Sequence, residues 1–327
     1  MCACLVIISA PSSPAHAQSV FELHDGELTQ IHAPDPDTPE GELQAVAQAI
    51  AEERGKDAIK LADAWIENYP NHPLLARAFL LRGDARVSRN HLYASLFDYE
   101  VVMRRFPASE EFEVALEREF SIAETFSRGT KRLLWGMRLL PAYGEAEELF
   151  IRIQERSPGS RIAERAGIEL ADHYYRQSEM LSAAEAYDLF LQNFPRSQWR
   201  EYAMQRQILA NLATFRGPRF DATGLIDAES RLEEYAQTYP AAAEQIGAEA
   251  LATRIDETLA ERSLLVAHWY RDRGERVSAI YMYRRLIQDH PGSAAAQQAI
   301  AQLRRLDPTL FRDGEMDPPA QTEPNQP

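Results

Sequence analysis

The chain has 327 residues, of which 45% are hydrophobic and 26% are charged, so it can bury a substantial core and is not compositionally disordered. Its formal net charge of −15 argues against nucleic-acid binding, because phosphate backbones repel an acidic surface. Only 15 glycines are present, which favours helices over a turn-rich sheet.

The first predicted element is an export signal at residues 1–17. The run Cys2–Ala10 is apolar, and Ala15-His16-Ala17 before Gln18 fits the small-x-small cleavage pattern. No Lys or Arg precedes the run, so an apolar N-terminal tail is the alternative. Both cysteines of the chain lie inside this segment. A mature chain would then have no thiol for disulfides, nucleophilic catalysis or zinc binding.

A hairpin and a Pro-rich linker are predicted at residues 18–41. Apolar and polar residues alternate over 19–31 on both sides of Asp25-Gly26, which is typical of two strands joined by a tight turn. The segment 32–41, HAPDPDTPEG, has the composition of a linker. Residues 42–306 have a helical pattern almost throughout, and the polar, Pro-rich tail 307–327 is predicted to be disordered.

Six prolines divide the helical region into repeats. A small residue stands twelve positions before each proline, and a mostly large apolar or aromatic residue stands eight before it. A small residue lets a second helix approach closely, the residue four positions later lies over it on the same face, and proline ends the helix. The small positions are Ala58, Ser95, Ala146, Ala183, Ala228 and Ala279, and the ring positions are Ala62, Tyr99, Phe150, Tyr187, Leu232 and Tyr283.

This order of residues is the tetratricopeptide helix-turn-helix pattern. The proline spacings of 37 to 51 residues exceed the roughly 34 of an ideal repeat, and the extra length is assigned to insertions at 128–145 and 216–224 and to an additional helix at 241–260. A final helix at 293–306 would cap the stack. The predicted fold is an all-α, right-handed superhelical solenoid of about six tetratricopeptide-like helix pairs with a short N-terminal hairpin.

Catalytic and cofactor-binding patterns are absent from the sequence, so no catalytic residue, metal site or cofactor is expected. His173 and His268 are interpreted as occupying equivalent repeat positions and packing at helix interfaces. Adjacent acidic pairs are interpreted as solvated helix faces, because neighbouring residues diverge by about 100°. Tyr175 and Arg176 are candidates for a concave, inner-helix binding face.

One basic segment stands out from the acidic background. The stretch 130–141, TKRLLWGMRLLP, has no acid and combines Lys131, Arg132 and Arg138 with Trp135 and several leucines. Such a stretch is typical of a surface that contacts a membrane or a partner's groove. The alternative is an insertion that folds back on the side of the solenoid, since Gly136 and Pro141 would keep any helix short.

From about residue 222 onward the sequence resembles the BamD family of outer-membrane lipoproteins, subunits of the barrel-assembly machine. The resemblance rests on LIDAESRLEEYAQTYP, on a long following helix, and on Trp269-Tyr270-Arg271-Asp272-Arg273-Gly274 at the end of the penultimate helix. The first four repeats match only generically. The family carries a lipid on an N-terminal Cys, whereas here the apolar residues LVII follow Cys4.

The resemblance implies a non-enzymatic periplasmic scaffold associated with the outer membrane. Its C-terminal repeats would dock the barrel-forming subunit, and an N-terminal groove would receive unfolded outer-membrane proteins. The partner-binding residues expected from the basic segment and the family-like end are Lys131, Arg132, Trp135, Arg138, Trp269 and Arg273. The alternative is another periplasmic tetratricopeptide scaffold that serves cell-envelope or division proteins.

Overall fold

A computed structural model describes residues 34–129 and 142–307 with their side chains, and residues 20–24, 27–31, 131–134 and 137–141 by their backbone alone. The signal at 1–17, the proposed cleavage point and the tail beyond residue 307 lie outside the described residues. The chain divides into two compact units, Met1–Arg118 and Glu119–Pro327.

Helices make up most of the described chain. Two antiparallel strand pairs accompany them, β1 with β2 and β3 with β4. The elements are β1 (Val20–His24), β2 (Glu27–Ile31), α1 (Pro39–Ala51), α2 (Gly55–Asn68), α3 (Leu75–Ser88), α4 (Leu92–Arg105), α5 (Glu111–Ser127), β3 (Lys131–Leu134), β4 (Met137–Pro141), α6 (Tyr143–Arg156), α7 (Arg161–Arg176), α8 (Met180–Asn193), α9 (Arg200–Thr214), α10 (Thr223–Thr238), α11 (Pro240–Gln245), α12 (Ala248–Asp272), α13 (Arg276–Asp289) and α14 (Ala294–Leu306).

The helices pack in consecutive pairs, as the repeat pattern predicts. The pairs are α1 with α2, α3 with α4, α5 with α6, α7 with α8, α9 with α10, and α12 with α13. In each pair the first helix is called the inner helix below and the second the outer helix. Every outer helix ends two residues before its proline, and the residue between them has φ between −126° and −137°. This residue has left the helical region because the proline ring clashes with a helical predecessor.

The small positions and the ring positions form the core. All six small positions are fully buried, and so are the ring positions, Leu232 being 2% exposed. The first repeat has Ala62 at the ring position. The residue sixteen positions earlier, on the inner helix, is Gly83 in the second repeat and the larger Val46 in the first. Trp65 fills the remaining space, since it is buried and its indole N–H donates to the carbonyl oxygen of Pro39 at 2.9 Å.

The region before the last repeat differs from the prediction of a separate helix at 241–260. It consists of the short α11 and the first half of α12, a 25-residue helix that continues without a break to Asp272. The first half of α12 packs on α10 through Ile255 and Leu259, and its second half packs on α13 and α14 through Leu264 and Ala267. Because one helix serves two hydrophobic clusters, no break is needed.

Three other elements follow from local signals. The capping helix α14 begins after Ser293, whose hydroxyl accepts from the backbone N–H of Ala296 at 3.0 Å. Helix α1 begins at Pro39, inside the segment 32–41 that resembles a linker, because Thr38 caps it and Pro is favoured at the first helical position. The insertion after α5 is a β-hairpin with an irregularity between Arg132 and Leu133, and not a short helix.

Candidate protein-binding surfaces

The end of α12 presents an exposed aromatic and cationic pair. Leu265 and Trp269 lie on the face opposite the buried Ala260 and Ala267, and Trp269 is 50% exposed. The guanidinium of Arg273 lies 4.3 Å from the centre of the Trp269 ring. No carboxylate among the described residues pairs with Arg273. A Trp that a partner can cover, with a cation beside it, is a common anchor of protein interfaces.

A second surface lies on the inner helices of the larger unit. Phe120 of α5 is buried beneath Arg165 of α7, whose guanidinium is 4.2 Å from the ring centre. Tyr202 of α9 and Trp199, the residue that precedes α9, also line this surface. Together these four side chains line what is called the inner groove below. Half of all the residues that line this groove are apolar or aromatic and half are charged, which suits a peptide with both large apolar and polar side chains.

Hydrogen bonds hold the inner groove in shape. Asp172 of α7 accepts from the hydroxyl of Tyr187, the ring residue of its own repeat, and from the hydroxyl of Tyr202 on the next inner helix at 2.9 Å. Arg206 donates to the Tyr202 hydroxyl at 3.1 Å and lies over the ring of Tyr175. Burial, followed by the charge of Asp172, raises the pKa of Tyr202, so its hydroxyl stays protonated and can donate.

The same arrangement recurs in the smaller unit. Asp84 accepts from the hydroxyl of Tyr99 at 2.7 Å and from Arg118 of the next inner helix at 2.9 Å. In both cases the carboxylate stands fifteen positions before the ring residue. The Asp therefore connects a repeat to the one that follows it. The sequence pattern alone did not indicate this connection.

The predicted equivalence of His173 and His268 is wrong by one position. Counting back fifteen residues from Tyr283 reaches His268, whereas the same count from Tyr187 reaches Asp172. The structure agrees, because the His268 ring packs edge-on against Tyr283 while His173 packs against Tyr143. Their predicted packing role is confirmed.

The two candidates on the inner face, Tyr175 and Arg176, lie at the edge of the inner groove. Tyr175 is half-buried under Arg206, and Arg176 lies 3.7 Å from Glu169. Burial raises the pKa of Glu169, and the charge of Arg176 partly offsets that effect. Tyr174, which precedes them, is partly buried and donates to Glu147 at 2.7 Å.

The basic segment is described only by its backbone. Lys131 and Arg132 lie in β3 and Arg138 lies in β4, so the hairpin brings three basic positions onto two paired strands. Trp135 lies outside the described residues. The choice between an exposed contact surface and a segment packed on the solenoid therefore stays a prediction.

The described residues contain neither a metal-binding cluster nor a membrane-spanning helix. No group of three or more His, Cys, Asp or Glu side chains in this part of the chain is arranged to hold a metal ion. Among the same residues, no helix combines the length and apolar character needed to cross a membrane.

Residues 140–310 match the family model YfiO, which is described as an outer membrane lipoprotein. The chain belongs to the YfiO family. The match begins at the end of β4 and covers everything from α6 to α14, so it includes Trp269, Arg273 and most of the inner groove. The resemblance noted in the sequence is thereby confirmed.

Among curated YfiO relatives, the outer membrane protein assembly factor BamD of Haemophilus influenzae is 24% identical over 192 residues, which are 55% of this chain and 71% of that protein. The BamD of Caulobacter vibrioides is 20% identical over 178 residues, 54% of this chain and 57% of that protein. The matched region thus spans little more than half of the Caulobacter protein.

Solved structures with similarity to this YfiO-family chain include two tetratricopeptide proteins. The C-terminal part of a repeat protein from Cytophaga hutchinsonii is 13% identical with a TM-score of 0.39, covering 81% of this chain and 88% of that one. A protein from Parabacteroides merdae is 12% identical with a TM-score of 0.36, covering 82% and 98%.

Proposed function

We propose that this chain is a non-enzymatic scaffold of the outer-membrane barrel-assembly machinery, located in the periplasm at the outer membrane. The observation that carries the proposal is the match of residues 140–310 to an outer membrane lipoprotein family whose matched relatives are outer membrane protein assembly factors. An extended helical repeat surface supports a role in binding and not in chemistry, since such folds act through large contact areas.

The barrel-forming subunit docks on the end of α12. Trp269 and Arg273 supply an exposed ring and a cation that are already stacked, so little side-chain entropy is lost when a partner covers them. Both residues lie inside the region that matches the family. The Arg273 head has no carboxylate partner among the described residues, which leaves it available to an acidic or carbonyl group of the subunit.

Unfolded outer-membrane proteins bind in the inner groove. An extended segment of such a protein alternates apolar and polar residues. The partly exposed rings of Trp199 and Tyr202 can receive the apolar side chains, and the polar rim can receive the others. This groove lies on α5, α7 and α9, in the middle of the chain. The groove in the N-terminal repeats that the family resemblance implies stays a prediction.

The hairpin of β3 and β4 is a further contact site, used either by a partner or by the membrane surface. Its basic residues Lys131, Arg132 and Arg138 oppose the acidic background and suit anionic headgroups or an acidic partner. The change Trp135→Ala should weaken binding to a partner or to anionic vesicles without altering helix content by circular dichroism. Lost helicity without a specific binding defect would instead support a packing role.

The docking proposal is tested by co-purification from the envelope of the native host. Trp269→Ala and Arg273→Glu should each reduce recovery of a barrel protein with periplasmic domains, while Tyr281→Ala should not. Tyr281 is a fair control because it is 61% exposed but lies on the outer helix α13. If the unaltered protein recovers only peptidoglycan-binding or division proteins, the proposal is wrong and the alternative scaffold role is favoured.

The compartment is tested separately. Processing of an export signal gives a mature N-terminus at Gln18, which N-terminal sequencing of the protein isolated from the envelope would detect. Finding intact Met1 on a cytoplasmic protein would overturn the periplasmic assignment.

A further inference from the structure

A second groove lies between the outer helices α8 and α10. Both helices pack on α9, which forms the floor. Gln207 and Asn211, one turn apart on α9, lie at the bottom, and Leu181 of α8 and Asp227 of α10 form the walls. Tyr202 lies five residues before Gln207, or about 140° around the helix, so α9 presents different faces to the inner groove and to this outer groove.

The floor of the outer groove contains unsatisfied polar groups. Gln207 is 5% exposed and Asn211 is 6% exposed. The amide N–H of Gln207 donates to Asp188 at 3.1 Å, but its Oε1 has no hydrogen-bond partner among the described residues. The side-chain amide of Asn211 bonds to no described residue and is open to the groove. An unsatisfied buried carboxamide oxygen such as that of Gln207 is costly, and a peptide backbone N–H is the donor that it lacks.

The rim of the outer groove is acidic. Glu179, Glu185 and Asp227 line it, and none of them pairs with a basic side chain in the part of the chain that the structure describes. Two arginines line it as well. Arg231 pairs with Asp188, at 2.6 Å, and with Glu234, and Arg216 offsets one of the three rim carboxylates. The net field at the rim therefore favours a cation.

Exposed apolar side chains complete the outer groove. Leu181 is 65% exposed, and Phe220, from the loop between α9 and α10, is 58% exposed at the far end. Large apolar side chains left in water beside unsatisfied amides are typical of a surface that a partner covers.

We propose that the outer groove binds an extended polypeptide segment of a partner protein, one that carries Lys or Arg between apolar side chains. The carboxamides of Gln207 and Asn211 bond to the backbone of the segment. Its cations lie against Glu179, Glu185 and Asp227, and its apolar residues cover Leu181 and Phe220. This site is separate from the end of α12, from the inner groove and from the β3–β4 hairpin, so it adds another partner surface to the scaffold.

The test is fluorescence anisotropy with a fluorescein-labelled peptide of repeating Ser-Lys-Leu, compared with a peptide of repeating Ser-Glu-Leu. The whole chain should bind the first peptide and not the second. Leu181→Asn should weaken binding by about fivefold, from lost apolar contact, and Asp227→Asn by about threefold, from lost charge. Both side chains are exposed, so neither change should affect folding.

Matched controls are available on other repeats. Val277 is 84% exposed and stands two positions before the small residue Ala279, as Leu181 stands before Ala183, so Val277→Asn should leave binding unchanged. Glu261→Gln on α12 is the charge control. Asn211→Ala should also weaken binding while the melting curve stays close to that of the unaltered chain. Equal affinity for the two peptides, no binding of the cationic one, or equal losses in the controls would overturn the proposal.

Discussion

Gly83 of α3 is the sharpest test of helix pairing in the smaller unit. A Cβ built at this position would lie 2.4 Å from Cε1 of Tyr99 and 2.9 Å from two other ring atoms. Carbon atoms normally approach to about 3.5 Å, so the contact is about 1 Å too short. The ring has no room to retreat, because Tyr99 is fully buried and its hydroxyl donates to Asp84.

The change Gly83→Ala should therefore destabilise the fold by about 2 kcal/mol. Overpacking of this severity costs about 3 kcal/mol, and replacing Gly by Ala inside a helix returns about 1 kcal/mol. Urea unfolding followed by circular dichroism measures the difference. Gly144→Ala is the matched control, because Gly144 also lies in a helix but nothing is within 4 Å of its added Cβ, and this change should stabilise the protein slightly.

We attribute the destabilisation by Gly83→Ala to the Tyr99 ring, and a double-mutant cycle tests this cause. In a Tyr99→Leu background, which removes most of the clash, Gly83→Ala should cost little or nothing. If Gly83→Ala is as stable as the unaltered chain, or if its cost is the same in both backgrounds, the added methyl group does not clash with the Tyr99 ring.

Three further outcomes are expected from the larger unit. Ala183→Leu should overpack the pair of α7 and α8 and cost about 1–3 kcal/mol, so an unchanged melting temperature would contradict the assigned repeat register. Ser293→Ala should cost about 1 kcal/mol by removing the cap of α14, measured by urea unfolding. Burial lowers the pKa of His173 below its ordinary value of 6.5, so the unfolded chain takes up a proton before the folded one does. Stability should be full above about pH 6.5 and decrease as the pH falls toward the folded pKa, and His173→Phe should flatten that dependence in unfolding curves at several pH values.

The repeat core was predictable because its determinants are local. Ala183, Tyr187 and Pro195 fall within thirteen consecutive residues, and each acts through its size or its missing N–H. The same holds for the cap at Ser293, where the capping helix was expected to begin. The continuous α12 was not predicted, because its length follows from the two clusters on either side of Ala260 and not from any residue within it.

The candidate surfaces were predictable only in part. Trp269 and Arg273 are four residues apart, so a helix of known register brings them together. Phe120 and Arg165 are far apart in sequence, and their contact depends on how α5 packs on α7. The one available signal was that the aromatic residues Trp199 and Tyr202 stand at neither the small positions nor the ring positions of the repeats.

Stability and recognition use different positions of the same repeat. Leu181 and Val277 stand at the same offset from a buried alanine, and neither is needed for helix pairing since both are largely exposed. What separates them is the neighbouring helix, because α9 and α10 place Asn211 and Asp227 beside Leu181. A repeat position that is free of packing constraints thus acquires a binding role from the side chains that adjacent repeats bring to it. The binding role of a residue in this solenoid is therefore decided between repeats, whereas its contribution to stability is decided largely within one.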